Sequence, residues 1–155
     1  MAKRIKDGRK VMRGQIDTGT YGGNANHIQL FDGKFTTGYK IVEFVIAPHD
    51  PQNSQEFTAK LTTQPDNDVS DWNWGDVQQV AWASIFVPTP TSGTGTYPNL
   101  IDEEAMIVQD LWISAYTTGT SPTELNYYIV LEKYEFTAWD GAATMVRNLS
   151  QSGPA

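Results

Sequence analysis

Apolar and polar residues alternate in short runs along most of this chain. In Glu56–Thr62, Phe57, Ala59 and Leu61 point one way while Glu56, Thr58 and Lys60 point the other. A period of two marks a strand with one buried face. Tyr39–Ala47 (YKIVEFVIA) is β-branched, aromatic and apolar on both faces. It predicts a buried central strand, ended by Pro48 and Pro51. Asn126–Ala138 predicts the strongest strand, with Leu125, Tyr127, Ile129 and Leu131 on one face. Tyr128, Val130, Tyr134 and Phe136 share its other face with Glu132. In Val77–Val87, large Val80, Trp82 and Phe86 oppose Ala81, Ala83, Ile85 and Val87, so close packing on both sides is expected. His27–Phe31 is a short strand closed by the turn pair Asp32-Gly33. Ala105–Tyr116 follows Asp102, Glu103 and Glu104, which suit a helix N-terminus. Its apolar positions nevertheless favour strand.

Between these runs lie turn-rich segments. Residues 14–26 (GQIDTGTYGGNAN) read as linker or loop, and 88–99 (PTPTSGTGTYPN) as a long exposed loop. Residues 64–76 form an acidic loop with two tryptophans, and 117–123 another turn cluster. Six to eight strands with at most one short helix predict an all-β chain. The expected architecture is a β-sandwich of jelly-roll type with an extended basic N-terminal arm. The pattern leaves strand order open, so an immunoglobulin-like sandwich stands beside it. The expected organisation is arm and linker over 1–26, one sandwich domain over 27–148, and a flexible tail over 149–155.

Composition narrows the classes. At 155 residues, with 39% hydrophobic and 12% aromatic residues, the chain has the size and content of one folded domain. The absence of cysteine excludes a disulfide framework, a cysteine-based metal site and thiol catalysis. No apolar run approaches the roughly 18–20 residues of a membrane span. Met1–Arg13 is charged and does not read as a signal peptide.

Charge is placed unevenly. Lys3, Arg4, Lys6, Arg9, Lys10 and Arg13 are opposed in the first thirteen residues only by Asp7, a local +5. The other residues hold 5 bases and 17 acids, −12, within a total of −7. These six bases are the candidate partner-binding residues. They suit an acidic neighbouring copy of the chain or a phosphate backbone.

Local chemistry is sparse. His27 and His49 read as ordinary loop histidines, since no nucleophile elbow or zinc motif accompanies them. Asp66, Asp68, Asp71 and Asp76 could offer oxygen ligands to Ca²⁺. The spacing departs from a calcium loop, with Asp71 where glycine belongs, so a solvated acidic loop is favoured. Gly93 and Gly95 have no helix behind them and form no nucleotide fingerprint. Asn148-Leu149-Ser150 matches a glycosylation acceptor with no secretory context. Trp72 and Trp74, two apart, would share a face of an extended segment. They are the candidate interface or ligand platform. No catalytic residues, cofactor or resident metal are expected.

Three segments taken together resemble a family. Phe35–Pro51 (FTTGYKIVEFVIAPHDP), Trp72–Ala83 (WNWGDVQQVAWA) and Tyr127–Gln151 (YYIVLEKYEFTAWDGAATMVRNLSQ) are similar to small β-rich virion proteins of bacterial and marine viruses. The resemblance implies a capsid, decoration or other structural role in the virion, with many copies assembled by symmetry. It transfers no residue's role. The expectation is a non-enzymatic capsid or capsid-associated protein whose partners are further copies and other virion proteins, with nucleic acid as a second option for the basic arm. The alternative is a carbohydrate-binding β-sandwich using Trp72 and Trp74.

Overall fold

The computed structural model describes residues 3–18, 25–31, 33–34, 36–50, 55–65, 72–87, 99–117 and 124–150. The strands are β1 (Lys3–Asp17), β2 (Asn26–Ile28), β3 (Thr37–Pro48), β4 (Gln55–Thr62), β5 (Gln79–Val87), β6 (Leu100–Ile101), β7 (Leu111–Thr117) and β8 (Glu124–Glu135). One helix, α1 (Ala138–Ser150), follows. The strands form two antiparallel sheets, ordered β1-β8-β3 and β2-β7-β4-β5-β6. The chain is therefore all-β in its framework, with two sheets sharing one core.

The pairing is nested. β1 pairs with β8, β2 with β7, and β4 with β5, so the outermost strands pair and the innermost form the hairpin. Between them, Tyr39 of β3 exchanges two 2.8 Å backbone hydrogen bonds with Ile107, just after β6. The chain thus runs as a doubled-back ribbon, split between two layers.

Inward-facing residues follow the expected alternation. Phe57, Ala59 and Leu61 of β4 share one buried core with Leu125, Ile129 and Leu131 of β8 and with Phe44 and Ile46 of β3. Each fully buried Leu, Ile or Phe contributes roughly 1.5–3 kcal/mol of burial free energy.

Several expectations change. β3 is a marginal strand of the three-stranded sheet, not a central one. A bulge between Ile41 and Glu43 resets its alternation, so Ile41 and Phe44 both point inward although three apart. That extra residue is why YKIVEFVIA reads as apolar on both faces. The basic segment, expected as an arm leading into a linker over 14–26, is strand β1 through Asp17. Its outward residues Val11, Arg13 and Gln15 alternate with Met12, Gly14 and Ile16, of which Ile16 is in the core. Gly14 hides this period because its place is filled from β8: a Cβ there would lie 2.7 Å from the Tyr127 hydroxyl oxygen.

Residues 138–150, read as strand end, sandwich and tail, form α1. Thr137 Oγ accepts from the Asp140 amide at 3.2 Å and donates to Asp140 Oδ2 at 3.0 Å, a reciprocal cap. At the start of Ala105–Tyr116, Asp102 closes a turn by accepting from the Glu104 amide at 3.0 Å. The strand begins only at Leu111. Gly33, at φ 87°, has the backbone expected of the turn after β2.

Candidate functional site

The outer face of the three-stranded sheet is built from β1, β8 and β3. Arg13 stands opposite Tyr128, which stands opposite Val45; Gln15, Asn126 and Ala47 form the next row, and Val11, Val130 and Glu43 the row on the other side. The face carries apolar residues in its middle and is partly open to solvent, with Val130 on the central strand buried. Val45 is 39% exposed and Tyr128 41%, and Val11 and Val42 are also exposed. Arg13, Gln15, Val45, Ala47, Asn126 and Tyr128 line a depression of about 520 Å³. This is within the range of small-ligand and side-chain pockets.

One end of the depression is braced by polar side chains. The Gln15 amide nitrogen donates to Asn126 Oδ1 at 3.0 Å and to His49 Nδ1 at 2.7 Å, so residues from all three strand regions are tied. Arg9 reaches Glu132 at 4.0 Å along the same face.

The six basic residues fall on this strand. Lys3, Arg4 and Lys6 belong to β1, and their side chains lie outside the described set. Lys10 Nζ sits 5.7 Å from the Tyr39 ring centre, a cation–π distance. Arg13 is exposed at the depression. β1 is a margin of its sheet and pairs only with β8 among the described strands.

Beyond β8, α1 presents a second apolar surface. Trp139 is 82% exposed, with Ala142, Ala143 and Val146 also exposed. The helix is held from its other side, where Gly141 is buried and Gln109 Nε2 meets Met145 Sδ at 3.2 Å. Sequence reading passed over Trp139, although Thr137 and Asp140 spell a helix start three residues apart.

The outer face of the five-stranded sheet is different. Lys60 is opposite both Trp82 and Ser114, and it is fully buried, as are Ser114 and Thr62. The expectation of a half-buried β4 is corrected in part: its outer face is closed at Lys60 and Thr62, while Glu56 and Thr58 stay partly exposed. Ser114 Oγ has no hydrogen-bond partner among the described residues. Its burial shuts it off from any substrate.

The Trp loop lies at this sheet's edge. Trp72 is half-buried; Trp74 is 64% exposed and meets Trp82 edge-on at 6.2 Å. The two rings expected to share one face are unequally presented, so a stacking platform there would consist of Trp74. Gln79 Oε1 fixes the loop by accepting from Trp82 Nε1 at 3.0 Å and the Asn73 amide at 2.9 Å. Asp76 is committed to a turn, accepting from the Gln78 amide at 2.9 Å. Asp66, Asp68 and Asp71, the other calcium candidates, lie outside the described residues. Among the described residues no three acidic or histidine side chains gather as a metal site.

His27 was expected as an isolated loop histidine, but it belongs to a cluster. It stacks at 4.7 Å on Trp112, and its Nε2–H donates to Asp110 Oδ2 at 2.6 Å. Asp110 Oδ1 accepts from the Leu30 and Phe31 amides at 2.7 and 2.8 Å. Burial raises the Asp110 pKa, but these amides and His27 outweigh it and hold the carboxyl below its ordinary value. The arrangement pins β2 to the start of β7.

A scan against protein-family models and searches of curated proteins and of solved structures return no match. No helix among the described residues is long and apolar enough to cross a membrane.

Proposed function

We propose that this chain is a self-assembling structural protein of capsid or capsid-associated type, acting in the virion. The observation that carries the reading is the uncovered apolar middle of the three-stranded sheet, with Val11, Val42, Val45 and Tyr128 open to solvent. Contiguous exposed apolar surface rimmed by charge is characteristic of a surface that binds another protein. The nested pairing of β1·β8, β2·β7 and β4·β5 supports a jelly-roll winding, with residues 100–107 in the place of its sixth strand beside β3. Jelly rolls occur in capsid proteins and in lectins, so the fold alone does not choose between them. The open sheet face favours assembly.

The basic residues take part through β1. Arg9 and Arg13 stand on the open face, while residues 14–155 carry −12. The partner favoured for this surface is therefore a second, acidic copy. Truncating residues 1–13 would remove most of a sheet strand, so salt is the cleaner perturbation. Light scattering coupled to size-exclusion chromatography of the full chain, over a range of concentration and salt, tests the proposal. Oligomers that grow with concentration and shift with salt are expected. A mass of 17.2 kDa under every condition overturns it.

A further inference from the structure

Two features of the surface complement one another and lie toward opposite ends of β8. The first is the depression lined by Arg13, Gln15, Val45, Ala47, Asn126 and Tyr128, near the start of β8. The second is Trp139, 82% exposed in the first turn of α1, beyond the end of β8. β8 runs about 23 Å from Tyr128 to Glu135 at about 3.3 Å per residue, so the depression and the start of α1 lie toward opposite ends of this strand. Trp139 is not among the residues that line the depression of its own chain.

We infer that Trp139 of one copy inserts into this depression of the next, so that copies join head to tail. This rests on the self-assembly reading and names its interface. The shapes agree, because an indole ring is far smaller than about 520 Å³ and leaves room for the helix residues beside it. The apolar surfaces agree, because Val45 and Tyr128 supply an aliphatic wall and a ring for the indole. The charges agree as well. Exposed Glu135 and partly exposed Asp140 flank Trp139, whereas Arg13 lines the depression. Arg13 is also placed to stack on the incoming ring, a contact that Arg makes well. Two different patches in contact make a heterologous interface, which repeats from copy to copy and closes as a ring or shell or runs on as a filament.

The test uses the full chain and two variants, each checked for an unchanged melting temperature. Trp139→Ala removes the knob and leaves the depression. Val45→Arg obstructs the depression and leaves the knob. By light scattering each variant alone is expected to run as a single chain, with half-assembly moved to at least about 30-fold higher concentration, as for an interface hot spot. An equimolar mixture is expected to form a complex of two chains and nothing larger, because only one intact knob and one intact depression remain to meet. Tyr128→Ser reads the same depression if Val45→Arg does not fold. If Trp139→Ala assembles like the parent chain, this interface is wrong while self-assembly stands. If the two variants stay apart when mixed, the pairing of knob and depression is wrong. If the parent chain is monomeric throughout, both the interface and the assembly reading fall.

Discussion

The two sheets treat their outer faces in opposite ways. On the five-stranded sheet, polar Lys60, Thr62 and Ser114 are buried. On the three-stranded sheet, apolar Val11, Val42, Val45 and Tyr128 are exposed. Residue type alone would have assigned the reverse. Burying a lysine and a hydroxyl is costly, so the first face is closed within a single chain at some expense. Leaving valines and a tyrosine in water forgoes burial energy that a partner could recover. The contrast therefore separates a face completed by folding from one that the proposed assembly would complete.

The largest effect is expected on the closed face. Lys60→Ala removes a fully buried four-carbon stem and its amine from between Trp82 and Ser114. A loss of about 2–4 kcal/mol is expected from denaturant titration, from the cavity and the lost polar contacts together. Lys60→Met keeps most of the stem and should cost less. If Lys60→Ala changed stability by under about 0.5 kcal/mol, as exposed substitutions do, the face would not be closed and the contrast would fail.

Asp110 comes next, at the margin of the same sheet. Asp110→Ala leaves the Leu30 and Phe31 amides and the His27 ring without their acceptor. About 2–3 kcal/mol should be lost. The effect has a pH signature. The folded carboxyl has a pKa below its unfolded value, so its contribution is fully present above roughly pH 3.9 and is lost as pH falls through the lower folded value. The gap in stability between parent and variant should accordingly narrow on acidification. A gap independent of pH would mean that Asp110 acts through packing and not through its charge.

Gly14 distinguishes a strand from a free arm. A side chain there would push on the Tyr127 ring, whose Cζ would lie 2.9 Å from the new Cβ. Gly14→Val should cost about 1–2 kcal/mol by overpacking. In an arm detached from the sandwich the same change would leave the melting temperature unaltered.

Much of this fold is legible in the residues. The inward faces of β4 and β8 follow from simple alternation. In β5 a register shift beside Leu61/Thr62 brings Val80 into the core with Ala81 and Ala83, although the alternation sets it on the opposite face. β3 was recognised as a strand but misplaced in its sheet, since the bulge at Ile41–Glu43 mixes inward and outward positions. β1 was hidden for two reasons. Its bases mark it as an arm, and Gly14 contributes no side chain to its period, as Tyr127 supplies the missing volume from another strand. The open sheet face could not be read at all. Exposed and buried valines have the same sequence signature, and only the exposure of Val45 and Tyr128 in the folded chain separates them. The Asp110 cluster joins residues about eighty positions apart, a relation that no local pattern carries.

The smallest effect on stability is expected where the effect on assembly is greatest. Val45→Thr keeps a β-branched residue that suits a strand and replaces one exposed methyl by a hydroxyl. In the dissociated chain at high dilution, the change in unfolding free energy should stay within about 0.5 kcal/mol, because Val45 already stands in water. At concentrations where the parent chain assembles, the same substitution places a hydroxyl against an apolar partner surface and should favour dissociation. Denaturant titration at low concentration and light scattering at high concentration separate the two effects. A large loss of stability in the dilute chain would mean that Val45 is packed by its own chain. The open face would then be another closed one, and the distinction between the two sheets would disappear.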